Sequence, residues 1–405
     1  MTAREARFPI GATVSLDNLD ADLHLTAARL RPTEPVSWVP AIGGWLVVGH
    51  AEATDVLRDA ATFTVDDPRF STGQVLGPSM LSTDAAEHDR HRRPFLPSFS
   101  RGALRDGQAE IVDDVLDNLL DAHASATSLA LRTELARPLA TETIARVLGL
   151  GVDAATVAGW YDEFAGSVTA ISDGATAQAA SHWESPSRRT LQNAVDAATK
   201  EVPAPSRARV IAEASQAANQ LNGQEFASNI GVVLFGAIET SEGMNASALW
   251  HLLTVPGLAD KAADDPTVIA SIVDESLRLE PAAAVVDRYA TADAQIGGAD
   301  IAEGDFVQVS LAGANRDPSV FADPDRFDPT RSDRSRHLSF VVGPHACIGA
   351  HLARHQTQAL LTGVIDRFPG LQLTSPELDE PTGRIFRKPG PLRATWSPPN
   401  PTGEA

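Results

Sequence analysis

One cysteine serves a chain of 405 residues, so no disulfide can staple this fold. That cysteine, Cys347, stands in Phe340-Val-Val-Gly343-Pro-His345-Ala-Cys347-Ile-Gly349. Gly343 and Gly349 permit a tight turn and a close backbone approach to something flat and bulky. From Gly349 to about Asp366 the pattern is that of a helix. A thiolate just ahead of a helix start is stabilised by free amides and the positive end of the dipole. In other surroundings a lone cysteine is a small buried hydrophobe. In this loop it has the setting of a soft, axial iron ligand.

Length alone suggests more than one domain, yet no Gly/Ser-rich or Pro-rich linker divides the chain and no internal repeat is present. Abundant alanine and helix-period patterning predict one large, mainly α domain over 20–396, preceded by an arm at 1–19 and followed by a disordered tail at 397–405. The formal charge of −20 argues against a nucleic-acid partner. Lysine occurs only at Lys200, Lys261 and Lys388, so arginine carries nearly all the positive charge. The N-terminal residues contain no apolar run, which reads as a soluble, cytoplasmic protein without a membrane anchor; a monomer is expected.

Local patterning predicts helices at 20–31, 51–59, 86–93, 103–123, 135–149, 257–264 and 267–280, and a long apolar helix from about Gln224 to Leu253, stopped by Pro256. Residues 153–215 are helical but loosely patterned. Residues 66–84, rich in Pro, Gly and Ser, read as irregular. Strands are expected in a hairpin with Ala41-Ile-Gly-Gly at its turn, at 283–290, 294–296 and 306–310, and in a final hairpin over 382–396 turning at Pro389-Gly390. The sum is a mainly α body with a small antiparallel β portion.

Three further stretches carry chemistry. Glu275 and Arg278 stand at i, i+3 on one helical face, an arrangement that by itself is a common solvated pair. Leu234-Phe235-Gly236-Ala237-Ile238-Glu239-Thr240-Ser241 places an acid and an alcohol inside an apolar helix, where the Thr240 hydroxyl can bond back one turn. His88 and Arg92 stand at i, i+4, with Arg288 and His345 as further cationic or donor groups.

Phe-x-x-Gly-x-x-x-Cys-x-Gly resembles the haem-binding loop of the cytochrome P-450 family, and the other stretches recur in the family's order. The resemblance covers about residues 20–396. It implies the trigonal-prism fold and haem b, with Cys347 as the iron's axial ligand and Phe340, Gly343, Gly349 and Ala237 framing the cofactor. His88, Arg92, Arg288 and His345 would meet the haem carboxylates. Asp287, directly before Arg288, would pair with it and weaken that hold. Glu275 and Arg278 resemble the family's buried pair, with Arg326 of Asp323-Pro-Asp-Arg326-Phe as its third member. Because three buried charges must satisfy one another, this triad is assigned to folding. Glu239 and Thr240 resemble the family's oxygen-activation motif, an acid and an alcohol that relay protons. Ile238 departs from the polar residue often found there.

The implied activity is that of a monooxygenase inserting one oxygen atom from O2 into a hydrophobic small molecule, by hydroxylation or epoxidation. The chain shows no flavin or iron–sulfur segment, so electrons are expected from a ferredoxin and its reductase. Arg90, Arg92, Arg93, Arg101, Arg105, Arg331, Arg334 and Arg336 offer an acidic carrier a basic face. Pocket candidates are Leu76 and Met80; Val232, Phe235 and Gly236; Ala283, Val285 and Val286; and Ile385 with Phe386. Residues 153–215 would be the lid. Two alternatives remain open. A haem-thiolate sensor would need neither Glu239 nor Thr240. Peroxide-driven hydroxylation, decarboxylation, coupling or nitration would use the same scaffold, although the acid–alcohol pair favours dioxygen.

Overall fold

The long helix runs from Gly223 to Thr254. Asn222 caps it: its Oδ1 accepts from Glu225 N, while Asn222 N donates to the Glu225 carboxylate, both at 2.9 Å. This reciprocal box satisfies two of the donors that a helix start leaves free. At about 1.5 Å per residue the helix is on the order of 48 Å long. It is buried over most of its circumference, as an all-round apolar pattern requires. It packs against the helices Arg137–Leu148, Ile269–Leu279 and Ala350–Arg367. The buried Thr357 hydroxyl donates to Asn245 Oδ1 at 2.6 Å, joining the helix after the cysteine loop to the long one.

This computed structural model describes residues 2–172, 185–200 and 210–396. The tail 397–405 lies outside them, as do 173–184 and 201–209 within the expected lid. The described part of that region is helical at Ala154–Ser172, Pro186–Ala198 and Val210–Ala217. Pro186 opens its helix in the first-turn position where its missing N–H costs nothing.

The strands are β1 (Val36–Val39), β2 (Gly44–Val47), β3 (Phe63–Thr64), β4 (Ser128–Ala130), β5 (Val285–Ala290), β6 (Ala294–Ile296), β7 (Ala299–Ile301), β8 (Phe306–Ser310), β9 (Gln372–Leu373) and β10 (Arg393–Thr395). They form a five-stranded sheet in the order β1-β2-β8-β5-β3, a three-stranded sheet β4-β10-β9 and the pair β6-β7. Pairing is antiparallel except between β2 and β8, which run parallel with Trp45 opposite Val307. Residues before 20 pack on the larger sheet. Arg4 pairs with Asp305 at 2.7 Å, and the Phe8 ring meets Trp45 edge-on at 5.1 Å.

Three expectations change. The stretch 66–84 contains a short helix, Ser71–Leu76, held where Gly231 lets the long helix approach Leu76. The helix expected at 103–123 is broken by a wide turn at Leu104–Gln108, where Gly107 has φ 139°, and resumes at Ala109–Ala122. The final hairpin does not turn at Pro389-Gly390. Thr382 and Lys388 exchange both backbone bonds at 3.0 Å, closing a turn over 383–387, and β10 leaves for a different sheet. Pro389 and Pro391 have no N–H to continue a ladder.

Candidate active site

Two neighbours fix the cysteine loop before its ends meet. Asn315 Oδ1 accepts from Leu338 N at 2.6 Å, and the Ser339 hydroxyl donates to Leu277 O at 2.7 Å. Val341 then sits at φ 57°, the left-handed region, which is costly for a β-branched residue. Gly343 follows at φ 83°, where a Cβ would meet Leu57 O at 2.4 Å, so glycine is required twice over. Cys347 N donates to Phe340 O at 2.9 Å and closes the loop.

Protein surrounds Cys347, yet its side chain remains accessible. Burial pushes its thiol up. The Gly349 amide, Arg92, Arg354 and the Ala350 amide all pull the other way. Arg92 reaches the loop directly and donates to Ala346 O.

The half-buried apolar residues Phe340, Ile348 and Ala353, like Ala237 of the long helix, edge the helical core. Gly236, Ala237 and Thr240 are accessible on a helix otherwise closed in this stretch, and nothing lies within 4 Å of where a Gly236 Cβ would stand. The Thr240 hydroxyl donates to Gly236 O at 2.6 Å, the back-bond expected from the sequence.

His88 and His345 come together with ring centroids 4.2 Å apart. His88 Nε2 lies 3.2 Å from Pro344 O, and its buried Nδ1 has no partner among the described residues. His345 Nε2 lies 2.7 Å from Asp84 Oδ1. Burial pushes the Asp84 carboxyl up, but hydrogen bonds from His345, the Thr64 hydroxyl and Val65 N outweigh it and hold it at about 2. Arg288 is buried on β5, and burial lowers its pKa to about 10 against the pull of Asp84 and Asp287. It donates to Asp287 O at 2.7 Å. The Asp287 carboxylate is instead met by Gln308 Nε2 at 3.1 Å, and burial pushes its pKa up. A strand turns successive side chains to opposite faces, so Asp287 does not take the guanidinium. Asp84 is a residue of this cluster that sequence reasoning missed. It lies just ahead of the motif His88-x-x-x-Arg92, but no spacing rule connects it to His345.

One accessible soft sulfur in a Gly-framed loop, half-buried apolar side chains beside it, and a cluster of two histidines and two arginines form a donor set that fits haem. The sulfur suits the iron and the cluster suits its carboxylates.

Glu275 and Arg278 are fully buried, with Arg278 Nη2 and Nε donating to the carboxylate at 2.8 and 2.9 Å. The third member is not Arg326. Its side chain is exposed and only its carbonyl joins, accepting from Arg278 at 3.2 Å. Arg331 Nε takes that place, 2.8 Å from Glu275 Oε1. The chain after Arg326 folds back, with Asp328 N bonded to Glu275 Oε1, and this brings the later arginine inward.

Arg331 therefore drops out of the expected basic face. Arg90 is also tied down, by Glu87 and Glu225, each at 2.7 Å. Arg93, Arg101, Arg105 and Arg336 are exposed. Burial, Arg101 and Arg354 together depress His351, which places Arg101 close to the helix that follows Cys347.

Among the pocket candidates, Phe235 and Phe386 meet edge-on at 5.8 Å, and Ala283 is bridged to Phe386. Met80 N donates to Asn229 Oδ1 on the long helix at 2.8 Å. Leu76, Met80 and Val232 belong to the same helical core as Phe235. Val285 and Ile385 do not. They pack with Leu19, Leu23 and Leu30, while Val286 packs on the β-sheet cluster. Glu239 is buried and paired with Lys388 Nζ at 2.8 Å, a partner the sequence did not reveal.

Among the described residues, no helix is long and apolar enough to cross a membrane. Comparison with known proteins gives a consistent picture. The family described as Cytochrome P450 matches residues 188–396. Nocardicin C N-oxygenase of Nocardia uniformis subsp. tsuyamanensis is 31% identical over 98% of this chain and 100% of its own. Mycinamicin IV hydroxylase/epoxidase of Micromonospora griseorubida is 30% identical over 91% and 94%. The crystal structure of P450BioI, in complex with an acyl carrier protein ligated to hexadec-9Z-enoic acid, superposes with a TM-score of 0.81 at 26% identity, covering 94% of this chain and 100% of that one. Sequence and fold agree throughout: this chain belongs to the cytochrome P450 family.

Proposed function

We propose that this P450 monooxygenase inserts one oxygen atom from O2 into a medium or large apolar molecule, using electrons from a ferredoxin and its reductase, with Glu239 and Thr240 relaying protons. Family members bind iron protoporphyrin IX through a cysteine thiolate, and this chain has only Cys347 to give. The bound haem supplies oxygen activation and one-electron chemistry. Arg92, Arg288, His88 and His345 would hold its carboxylates, and Asp84 orients His345 from behind.

The observation that carries this reading is the helix stretch 236–240. Thr240 faces the accessible side with its hydroxyl committed to Gly236 O, and Glu239 is a buried acid beside it. A hydroxyl held by one acceptor still has lone pairs with which to orient water. A buried carboxyl whose pKa burial pushes up can carry a proton inward. The aromatic pair Phe235–Phe386 supports an apolar substrate. The relatives named for hydroxylation, epoxidation and N-oxygenation are consistent with oxygen insertion. Exposed Arg93, Arg101, Arg105 and Arg336 support salt-sensitive docking of an acidic carrier.

Thr240→Ala tests the relay. With a surrogate ferredoxin and reductase, and a compound found by its haem spin-state shift, the variant is expected to consume electrons at near-normal rates while most of them leave as peroxide. Unchanged coupling would favour peroxide as the physiological oxidant.

A further inference from the structure

The segment after Pro381 is pinned from two sides. Arg387 Nε donates to the buried Glu280 carboxylate at 2.7 Å, and its Nη2 donates to Pro381 O at 2.6 Å. Residues 385–387 run extended beside 282–284: Ala284 N donates to Ile385 O at 2.8 Å and Arg387 N to Ala282 O at 2.9 Å. In extended chain, alternate side chains share a face about 6.6–6.8 Å apart. Phe386 and Lys388 therefore point one way and Arg387 the other.

The long helix presents a matching row. Phe235, Glu239 and Glu242 stand at i, i+4 and i+7, with about 6 Å of rise per four residues. The two rows interlock. Phe386 meets Phe235 at 5.8 Å. Lys388 Nζ lies 2.8 Å from Glu239 Oε1 and 3.3 Å from Glu242 Oε2. Arg132 Nη1 closes the far side of Glu242 at 3.1 Å. The approach depends on Gly243, where a Cβ would stand 2.9 Å from Arg387 O.

We propose that Lys388 is the positioning residue of the proton relay, holding the Glu239 carboxylate turned toward the C-terminal segment until a proton is passed. This rests on reading Glu239 as the relay's acid. The choice of lysine is informative in a chain that otherwise relies on arginine. An ammonium is a compact charge with three rotatable donors, able to serve two carboxylates and release either one, whereas a guanidinium locks a planar fork.

The groups facing Glu239 are Lys388, Glu242 on its own helix, and Arg137 on the neighbouring helix Arg137–Leu148, with Arg132 behind Glu242. Burial pushes the Glu239 carboxyl up, Lys388 pulls it down, Glu242 pushes up and Arg137 pulls down. Burial already prevails with the ammonium in place; without it the strongest opposing influence is gone, and the carboxyl keeps its proton to still higher pH.

The experiment is an infrared pH titration of the haem-loaded enzyme in the carboxylic-acid C=O region, with the Glu239 band assigned by its loss in Glu239→Gln. Lys388→Met should move that band's midpoint to higher pH, and Lys388→Gln should do the same; Lys388→Arg should leave it close to wild type. The pH profile of peroxide released per electron consumed should move in the same direction in both neutral variants. An unmoved midpoint in both neutral variants, or an equal shift in Lys388→Arg, overturns the proposal. If Glu239→Gln itself leaves coupling unchanged, the relay reading falls. If Glu239→Gln uncouples while the Lys388 variants do not move the midpoint, only the role of Lys388 falls.

Discussion

Replacing Arg331 by alanine should destabilise the protein substantially, while the same change at Arg326, five residues earlier, should not. Glu275 accepts from Arg278 Nε and Nη2, Arg331 Nε and Asp328 N, all between 2.8 and 2.9 Å. Losing Arg331 removes one charge-assisted bond of this buried set, worth about 1.5–3 kcal/mol. The larger cost of an unpaired buried charge, about 3–5 kcal/mol, is not reached, because Arg278 still neutralises Glu275. Arg331 also binds the carbonyls of Ala322, Asp323 and Arg326 at 2.9, 3.3 and 3.1 Å, on an exposed side where water can substitute. The expected loss for Arg331→Ala is thus about 2–3 kcal/mol. Arg326→Ala keeps the backbone carbonyl that Arg278 uses and should stay within about 0.5 kcal/mol of wild type. Guanidinium unfolding followed by far-ultraviolet circular dichroism measures both. Equal losses, or a larger loss at Arg326, would refute the assignment.

Gly343→Ala combines a left-handed backbone with a Cβ 2.4 Å from Leu57 O. It should cost at least about 1–2 kcal/mol and reduce the haem retained through purification, read as the ratio of Soret to protein absorbance; full retention with an unchanged melting midpoint would contradict the loop geometry. Asp84 has a folded pKa of about 2, below its ordinary 3.8, so its stabilising effect is present above the ordinary value and lost as pH falls from about 4 toward 2. Asp84→Asn should flatten the acid-side decline in stability there, seen as a smaller difference between unfolding midpoints at about pH 5 and pH 3; an unaltered decline would show that the bond to His345 carries no such linkage.

What was legible in the sequence followed local rules. The long helix expected at about 224–253 spans Gly223–Thr254, because its cap, its apolar run and its terminating proline are all local. The cysteine loop could be read because its glycines and the helix after it are contiguous. The Thr240 back-bond could be read because it spans a single turn. What failed depended on distant chain. Arg331 displaced Arg326 because the irregular segment between them folds back, and no periodicity governs such a path. Val285 and Ile385 left the presumed pocket because the two faces of a short strand are told apart only by what packs on each. Lys388 met Glu239 from 149 positions further along the chain through a strand-to-helix register that neither segment announces alone. The rarity of lysine was a signal available at the start, but it carried no direction.

The central claim is that the Cys347 sulfur binds the haem iron, and the spectrum of the reduced protein under carbon monoxide tests it most directly. Wild type should show the strongly red-shifted Soret band of thiolate ligation, and Cys347→Ala should lose that band while keeping its helical circular dichroism. A wild-type spectrum without the shift, or a Cys347→Ala spectrum that retains it, would contradict the account.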